Sequence, residues 1–206
     1  MPDCYIVGAG DFNRDAFRPQ SGDFIIAADG GYKILSELNI TPDLCLGDFD
    51  SLGFVPDLPD TISVDPVQKD DTDTMLAARE GLRRGFKKFY IFGGTGGARG
   101  DHTIANIQLL CFLAERGAIG YLVGKNETAV VIKNDKFRLP AREEGFVSVF
   151  SLDEVSRGVT EKGLKDSLEN GELRRDFPLG VSNRFVGSSA EISVEDGTLL
   201  IMWEGF

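Results

Sequence analysis

The residues best suited to chemistry lie in the segment GGTGGARGDH at positions 93–102. It follows an apolar run, 88–92, and precedes a helix-like stretch, 103–116, so it joins a predicted strand to a predicted helix. Glycines at such a junction let backbone N–H groups approach a phosphate closely, and the helix N-terminus adds partial positive charge. Arg99 and Asp101 strengthen this interpretation, because a guanidinium binds phosphate through two parallel hydrogen bonds and an exposed turn needs neither side chain. The segment predicts a protein that handles phosphoryl groups.

The glycine pattern fits neither of the common nucleotide-binding fingerprints. A Walker sequence, in which Gly-Lys-Ser/Thr follows a glycine and four spacer residues, occurs nowhere in the chain. Gly8-Ala9-Gly10 lacks the third glycine of the dinucleotide-binding motif. We therefore expect neither a P-loop NTPase nor an NAD enzyme.

Two aspartates, Asp48 and Asp50, directly follow the apolar run 44–46 and a glycine. In an extended chain these two side chains would point the same way, and Phe49 between them would point into the packing. The carboxyl ends of parallel strands are where open α/β sheets bind their ligands. The position predicts a pair of carboxylates at the edge of a ligand crevice.

A second acidic group, KDDTD at 69–73, lies where a helix is predicted to begin. Aspartate at a helix start is commonly a capping residue, so one carboxylate there indicates little by itself. Two acidic groups facing one crevice would repel each other, and a hard divalent cation would relieve that repulsion. Carboxylate oxygens without a Cys/His cluster favour Mg²⁺ or Mn²⁺, shared with substrate phosphates, over zinc.

His102 is the sole histidine of the chain. Its place beside Asp101 in a first helical turn is typical of a polar cap or a helix-surface residue. A Ser-His-Asp hydrolase would have to use this residue, and the Gly-x-Ser-x-Gly elbow of such enzymes is missing. We therefore expect no nucleophilic hydrolysis of that type.

The composition limits the choice of ligand and compartment. The chain has 206 residues, 42% of them hydrophobic, and a formal net charge of −11, which opposes binding to a nucleic-acid backbone and favours a small ligand. Cys4, Cys45 and Cys111 lie far apart in apolar stretches, which predicts reduced, buried thiols in a cytoplasmic protein. No basic and apolar signal segment is visible, and the run 24–28 is too short to cross a bilayer. We expect neither export nor membrane insertion.

The first 125 residues alternate short apolar runs with segments of helical period. The predicted strands are 4–7, 24–28, 44–46, 61–64, 88–92 and 119–123. The predicted helices are 31–38, 73–84 and 103–116, and in the last of these Ile104, Ile107, Cys111 and Ala114 form one apolar stripe. Alternation of this kind predicts an α/β domain over residues 1–125, with a mostly parallel sheet.

Residues 126–206 have a different character. Strand-like pieces at 128–132, 136–139, 146–151, 191–194 and 199–203 are separated by turn signals, and only 164–168 carries an ambiguous helical period. The pattern predicts a second, all-β domain, a small sandwich or barrel.

Taken together, these motifs resemble the thiamine pyrophosphokinase family, of the bacterial type. The matching segments follow the family order along nearly the whole chain: ADGG at 28–31, PD at 42–43, GDFDS at 47–51, KDDTD at 69–73, the glycine segment with Asn106, and Ser182-Asn183. The resemblance implies an N-terminal Rossmann-like domain, a C-terminal β-sandwich, and a homodimer with its active sites at the subunit interface. It also implies transfer of the diphosphoryl group of ATP to the hydroxyl of thiamine, which gives AMP and thiamine diphosphate.

The resemblance also assigns residues to this reaction. It implies that Asp48, Asp50 and Asp73 hold Mg²⁺, and that Ser182 and Asn183, in a turn-like stretch, lie near the thiamine pyrimidine. The implied ATP contacts are Asp29, Gly30, Lys69, Thr72, Gly93, Gly94, Gly96, Gly97, Arg99, Asp101 and His102. The implied catalytic residues are Asp48, Asp50, Asp71, Asp73 and Arg99. Either Asp71 or Asp73 would accept the proton of the attacking hydroxyl, or positioning would suffice without a strong base.

One position departs from the family pattern. Animal members carry a tryptophan in the final strand that stacks on thiamine, whereas the comparable register here holds Ile201, with Trp203 two residues later. Residues two apart in a strand share a face, so Trp203 could substitute, but we expect it to be an ordinary core or dimer-interface aromatic residue.

Three other functions stay open at this point. A Mg²⁺-dependent nucleotide hydrolase would use the same aspartates with water as the acceptor. A diphosphokinase for a pterin alcohol would share the first domain and differ around Ser182 and Asn183. A non-catalytic nucleotide or thiamine sensor would bind without turnover, and the many acidic groups disfavour it because a module that only binds an anion has little use for them.

Overall fold

The computed structural model describes residues 2–49, 52–57, 60–63, 71–97 and 100–206. The chain divides into two compact units, which we call unit 1 (Met1–Lys125) and unit 2 (Asn126–Phe206). Helices occur in unit 1, and strands occur in both, so the chain is of the mixed α/β class. Of the helices described, none has the length and apolar character needed to cross a membrane.

Unit 1 contains a parallel sheet with three described helices. Its elements are β1 (Cys4–Val7), β2 (Phe24–Ala28), α1 (Gly31–Glu37), β3 (Leu44–Gly47), β4 (Thr61–Ser63), α2 (Asp73–Arg83), β5 (Lys88–Phe92), α3 (Gly100–Ala114) and β6 (Ile119–Val123). The strands pair in parallel in the order β6-β5-β1-β2-β3-β4. Every residue of β1 and β3 is buried, as the continuous apolar character of these runs predicts for central strands of a parallel sheet.

Helix α3 differs most from its prediction. It begins at Gly100 rather than at residue 103, so Asp101 and His102 belong to the helix itself. Its buried residues are Asn106, Leu109, Leu110 and Leu113. The predicted apolar stripe was wrong, since Ile104 is 59% exposed. The helix has apolar residues on nearly every side, so periodicity alone does not reveal which side packs inward.

Unit 2 consists of two antiparallel four-stranded sheets. Its strands are β7 (Glu127–Lys133), β8 (Lys136–Leu139), β9 (Phe146–Ser151), β10 (Val155–Lys162), β11 (Leu168–Arg174), β12 (Gly180–Arg184), β13 (Ala190–Ser193) and β14 (Thr198–Glu204). One sheet has the order β12-β9-β14-β7, and the other has the order β11-β10-β13-β8. Phe137 of one sheet packs on Trp203 of the other, with ring centroids 5.6 Å apart. Trp203 is 6% exposed and is thus a core residue of this unit, as expected.

Three strands of unit 2, β10, β11 and β12, were missed in the sequence. Strands β11 and β12 lie at sheet edges, where polar residues face solvent and weaken the apolar alternation. Residues 164–168 form no helix, since Leu164 makes an isolated bridge to Phe185 and Leu168 begins β11. The turn-like interpretation of Ser182 and Asn183 was also wrong, because both residues belong to β12 beside a register shift against β9. Such an irregularity explains why a turn-forming pair occurs inside a strand.

Candidate active site

A cavity of about 510 Å³ opens where the parallel strands of unit 1 end. Residues that follow β1, β2, β3 and β5 line it, together with the beginnings of α2 and α3. The lining residues are Gly8, Ala9, Gly10, Ala28, Asp29, Asp48, Asp71, Thr72, Asp73, Thr74, Gly93, Gly94, Thr95, Gly96, Gly97, His102 and Asn106. This is the position at which open α/β sheets bind ligands.

The cavity brings together most of the unit 1 residues singled out from the sequence. Those that line it are Asp29, Asp48, Asp71, Thr72, Asp73, Gly93, Gly94, Gly96, Gly97 and His102. Gly30 and Asp101 are described by the structure and do not line the cavity. Asp50, Lys69 and Arg99 lie outside the described residues, so the roles implied for them stay predictions.

Two glycine-containing loops, one after β1 and one after β5, are joined by backbone hydrogen bonds. The N–H groups of Gly8, Gly10 and Asp11 donate to the carbonyls of Phe92, Gly93 and Thr95, at 2.8, 2.8 and 2.9 Å. The spacing leaves no room for side chains: a Cβ on Gly10 would lie 2.6 Å from the Thr95 carbonyl oxygen, and a Cβ on Gly93 would collide with the Gly8 carbonyl. Gly93 also has φ of +63°, which favours glycine. The segment 8–10 is therefore part of the site, although it fits no dinucleotide fingerprint.

These bonds orient the peptide groups of the loop after β5. Its carbonyls at Phe92, Gly93 and Thr95 bond to the loop after β1, and the Gly94 carbonyl accepts from Asn106 Nδ2 at 2.8 Å. In a trans peptide the C=O and the following N–H point in opposite directions, so the N–H groups of Gly94, Thr95 and Gly96 point away from these partners. None of the N–H groups of residues 94–97 donates to an acceptor within the described part of the chain. Successive unused N–H groups form a concave anion-binding surface, which suits a phosphate.

The aspartates after β2 and β3 are placed by unusual backbone conformations. Asp29 has φ of +45°, and its N–H donates to the Leu46 carbonyl at 2.8 Å, which joins the ends of β2 and β3. Asp48 lines the cavity, and Phe49 is 3% exposed in the core, as predicted. The chain is not extended there, however, since Phe49 has φ of +57°. The extended geometry expected beyond Gly47 was wrong, because the chain turns sharply once β3 ends.

The start of α2 presents two carboxylates in different circumstances. Thr72 caps the helix, its Oγ1 accepting from the Met75 N–H at 3.2 Å, and Asp73 is the first helical residue. Asp71, just before the cap, forms an ion pair with Arg79, with Oδ2 and Nε 2.9 Å apart. The Arg79 guanidinium also lies 4.8 Å from the centroid of the Phe112 ring on α3. Arg79 thus fixes the direction of the Asp71 carboxylate at the cavity wall.

The first turn of α3 contributes an exposed polar pair. The His102 N–H donates to Asp101 Oδ1 at 3.1 Å, which is a local bond of a helix start. Both side chains are exposed, and His102 faces the cavity. The arrangement is that of a helix-surface residue at the edge of a site, as expected for His102.

The cavity presents oxygen donors that suit a hard cation. Asp48 and Asp73 both line it. Mg²⁺ in phosphoryl-transfer sites is commonly held by one or two carboxylates together with phosphate oxygens and waters. Within the described residues, no group of three or more His, Cys, Asp and Glu side chains is arranged to hold a metal ion. Carboxylate oxygens fit Mg²⁺ shared with a substrate better than a closed structural zinc site, whose ligands are mostly Cys and His.

Ser182 and Asn183 lie in unit 2 and differ sharply in burial. Ser182 is exposed, has φ of +64°, and its N–H donates to Ser148 Oγ at 3.1 Å. Asn183 is 7% exposed. Its Nδ2 donates to Glu161 Oε2 at 3.1 Å and to the Asp166 carbonyl at 2.7 Å. Its Oδ1 accepts from the N–H groups of Asp166 and Arg184, at 3.0 and 2.9 Å, so the amide is fully bonded within unit 2.

Several residues of the site had no role assigned from the sequence. Gly8, Ala9 and Gly10 take part through their backbones, and their signal was a second glycine pair directly after a strand. Thr74 and Asn106 take part through side chains that bond to each other at 2.7 Å. Asn106 carried a detectable signal, since it is a polar residue between Ala105 and Ile107 in a mostly apolar helix.

Comparison with known proteins is consistent with this site. The thiamin pyrophosphokinase catalytic domain model matches residues 19–119, and the thiamin pyrophosphokinase vitamin B1 binding domain model matches residues 130–199. A thiamine pyrophosphokinase of Bacillus subtilis (strain 168) is 27% identical over 183 residues, which cover 86% of this chain and 85% of the relative.

Solved structures show the same likeness. The crystal structure of thiamine pyrophosphokinase from Bacillus subtilis has 25% sequence identity and a TM-score of 0.87, covering 98% of this chain and 99% of that one. The crystal structure of thiamin pyrophosphokinase from Geobacillus thermodenitrificans has 26% identity and a TM-score of 0.85, covering 99% of this chain and 98% of that one. The two family models together span most of the chain, which therefore belongs to the thiamin pyrophosphokinase family of transferases.

Proposed function

We propose that the chain transfers the diphosphoryl group of ATP to the hydroxyl of thiamine, giving thiamine diphosphate and AMP. The observation that carries this proposal is the match of unit 1 to a catalytic domain model and of unit 2 to a vitamin B1 binding domain model of one family. The cavity of unit 1 supports it, since unused backbone N–H groups and aspartates meet there. The ion-binding chemistry of such a cavity suits a phosphate chain better than an uncharged substrate.

The loop after β5 would bind the phosphate chain of ATP. The N–H groups of Gly94, Thr95 and Gly96 point away from their scaffold, and the N-terminus of α3 adds partial positive charge nearby. For a loose phosphoryl-transfer transition state, most of the catalysis is positioning and neutralisation of charge. A loop held by four hydrogen bonds through its own carbonyls supplies both without rearranging during the reaction.

The aspartates would complete the site. Asp48 and Asp73, with Asp50 as implied by the family resemblance, would hold Mg²⁺, which when bound supplies positive charge to the phosphate oxygens. Asp29 would contact ATP from the junction of β2 and β3. The hydroxyl of thiamine would attack the β-phosphorus with AMP as leaving group, and a carboxylate at the start of α2, Asp71 or Asp73, would accept its proton. Arg99 and Lys69 keep the ATP-binding roles that the resemblance implies.

The finer architecture belongs to the same proposal. We propose that residues 1–125 form a Rossmann-like domain that binds ATP and Mg²⁺, and that residues 126–206 form a β-sandwich that binds thiamine through the region of Ser182. We also propose a homodimer with its active sites at the subunit interface. Exposed apolar side chains near β9 and β12 support this, and they are Phe146, Phe177, Leu179, Val181 and Val186.

An assay that separates AMP from ADP tests the proposal. Purified protein is incubated with ATP and Mg²⁺, with thiamine, with a pterin alcohol, or with no acceptor. We expect AMP to form only in the incubation in which thiamine is the acceptor. ATP turnover without any acceptor would indicate the hydrolase, turnover with the pterin alcohol would indicate the related diphosphokinase, and binding without turnover would indicate a sensor.

A further inference from the structure

A directed chain of hydrogen bonds runs along the cavity wall from α2 to the glycine loop. Asn106 Nδ2 donates to the Gly94 carbonyl at 2.8 Å, which fixes the orientation of the amide because a carbonyl can only accept. Asn106 Oδ1 therefore accepts, and it does so from the Thr74 hydroxyl at 2.7 Å. Since the single hydroxyl proton of Thr74 is used there, the Thr72 hydroxyl, 3.2 Å away, donates to Thr74.

This series of hydrogen bonds connects the start of α2 to the glycine loop, the two parts of the site that must act on the same phosphates. At one end Thr72 caps α2, whose first residue is Asp73. At the other end the chain fixes the peptide between Gly94 and Thr95, because the carbonyl held by Asn106 and the N–H of Thr95 point in opposite directions. The side chain of Asn106 thus sets both the direction of the Thr95 N–H and the separation of the loop from α2.

The burial of Asn106 argues that the amide is there for these bonds. Asn106 is 3% exposed on the face of α3 that otherwise buries Leu109, Leu110 and Leu113. A buried amide is costly unless it is hydrogen-bonded, and a leucine would fill such a place without that cost. The only groups it satisfies in the described structure are the Gly94 carbonyl and the Thr74 hydroxyl, and both residues line the cavity.

We propose that Asn106 and Thr74 are positioning residues that hold the Thr95 N–H toward the phosphate chain of ATP. They act through Gly94, and they fix the distance at which the phosphates meet the carboxylates of α2. The inference rests on the proposed function, since it requires that the cavity binds a nucleoside triphosphate. It predicts that substitutions of Asn106 and Thr74 change the affinity for ligands according to their phosphates and not according to their nucleoside.

Calorimetric titration of ATP and of AMP, with Mg²⁺ and without thiamine, tests the inference. Asn106→Leu should weaken ATP binding by about tenfold, because a phosphate contact loses its orientation, while AMP binding changes by less than about twofold. Thr74→Val, which keeps the shape and removes the donor, should weaken ATP binding by about threefold, and Thr74→Ser should bind as the unaltered protein does. Gln108→Leu is the matched control, since it removes an exposed amide from the same helix and should change neither ligand.

Each outcome decides between distinct conclusions. If the unaltered protein does not prefer ATP to AMP, the proposed function fails. If it does prefer ATP and Asn106→Leu weakens both ligands equally, the residue is structural and the inference is overturned. If Asn106→Leu does not fold, the pair Thr74→Val and Thr74→Ser decides: equal ATP affinity in the two overturns the inference, and a difference confined to ATP supports it.

Discussion

The two units use their polar groups in opposite ways. In unit 1 the carbonyls of residues 92–95 are all bonded to the protein, and the N–H groups of residues 94–97 have no acceptor among the described residues. In unit 2 the Asn183 amide makes four hydrogen bonds inside the unit and has no capacity left. A ligand binds to groups that the fold leaves unsatisfied. If the proposed function holds, we expect phosphate contacts from the backbone of unit 1, and thiamine contacts in unit 2 from beside Asn183 rather than from its amide.

The polar centre of unit 2 contains a second buried group, Glu161. This side chain is 3% exposed, and its Oε2 accepts from Asn183. Burial raises the pKa of the Glu161 carboxyl, and the nearby Asp166 carboxylate raises it further. The hydrogen bond joins β10 to β12, so it connects the two sheets. Such a centre stabilises one arrangement of the two sheets. In the loop of unit 1, by contrast, the backbone N–H groups of residues 94–97 are available to a ligand.

The largest effect is expected at the acidic side of the unit 1 cavity. Asp73→Asn should reduce the rate of AMP formation by at least roughly 10²-fold, the scale seen when one preorganised charge-stabilising group is lost. The measurement is turnover at saturating ATP, thiamine and Mg²⁺, with folding checked by circular dichroism. Asp15→Asn, at an exposed aspartate, is the control. A near-normal rate in Asp73→Asn would remove this carboxylate from the catalytic site.

The next effect concerns the junction of the two glycine loops. Gly93→Ala should raise the KM for ATP by about tenfold or more, because its Cβ would collide with the Gly8 carbonyl and separate the loops. Gly22→Ala is the matched control, since Gly22 has φ of +95° and nothing within 4 Å of an added Cβ. The Gly22→Ala variant places an alanine at positive φ, as Gly93→Ala does, but its Cβ collides with nothing. Similar kinetics in the two variants would show that the junction does not shape the ATP site.

A smaller effect separates the two interpretations of Asn183. Asn183→Ala should lower the free energy of unfolding by about 1–3 kcal/mol, because it leaves buried partners unsatisfied. Denaturant unfolding measures this loss, and the KM values for thiamine and ATP are compared at a temperature where the variant is folded. The family resemblance predicts that the KM for thiamine rises far more than the KM for ATP. A raised KM for thiamine with an unchanged free energy of unfolding would contradict a purely structural role of the Asn183 amide in unit 2.

The smallest effect is a pH dependence in unit 2. Because the folded pKa of Glu161 is raised above its ordinary value of 4.5, the folded protein keeps a proton that the unfolded chain loses as the pH rises. The free energy of unfolding should therefore fall with rising pH above that value, until the folded carboxyl also ionises. Glu161→Gln, which keeps the bond from Asn183, should be increasingly more stable than the unaltered protein over this range. If the free energy of unfolding changed with pH in the same way in both proteins, the pKa of Glu161 would not be raised.

The sequence predicted what depends on local pattern. Strands such as Cys4–Val7 and Lys88–Phe92 follow from short apolar runs, and the cavity follows from polar residues placed where those strands end. The inward side of α3 could not be predicted, because Ile104 and Leu109 are equally apolar and only contact with the sheet distinguishes them. Gly8 and Gly10 form a visible glycine pair after a strand, but their role depends on the close approach of a distant loop, which no local pattern encodes. Edge strands such as β12 were missed because their polar residues face solvent.

The burial of the cysteines has a practical consequence. Cys4 and Cys45 are fully buried, and burial raises the pKa of the Cys45 thiol to about 11 and that of Cys4 further above its ordinary value. Thiol reagents act on the thiolate, so these two side chains should resist alkylation while the protein is folded. Cys111 is only partly buried and lies on α3, the helix that carries Asn106. A fluorescent maleimide should therefore attach at Cys111 alone, giving a spectroscopic reporter on a helix that lines the unit 1 cavity without any substitution in the chain.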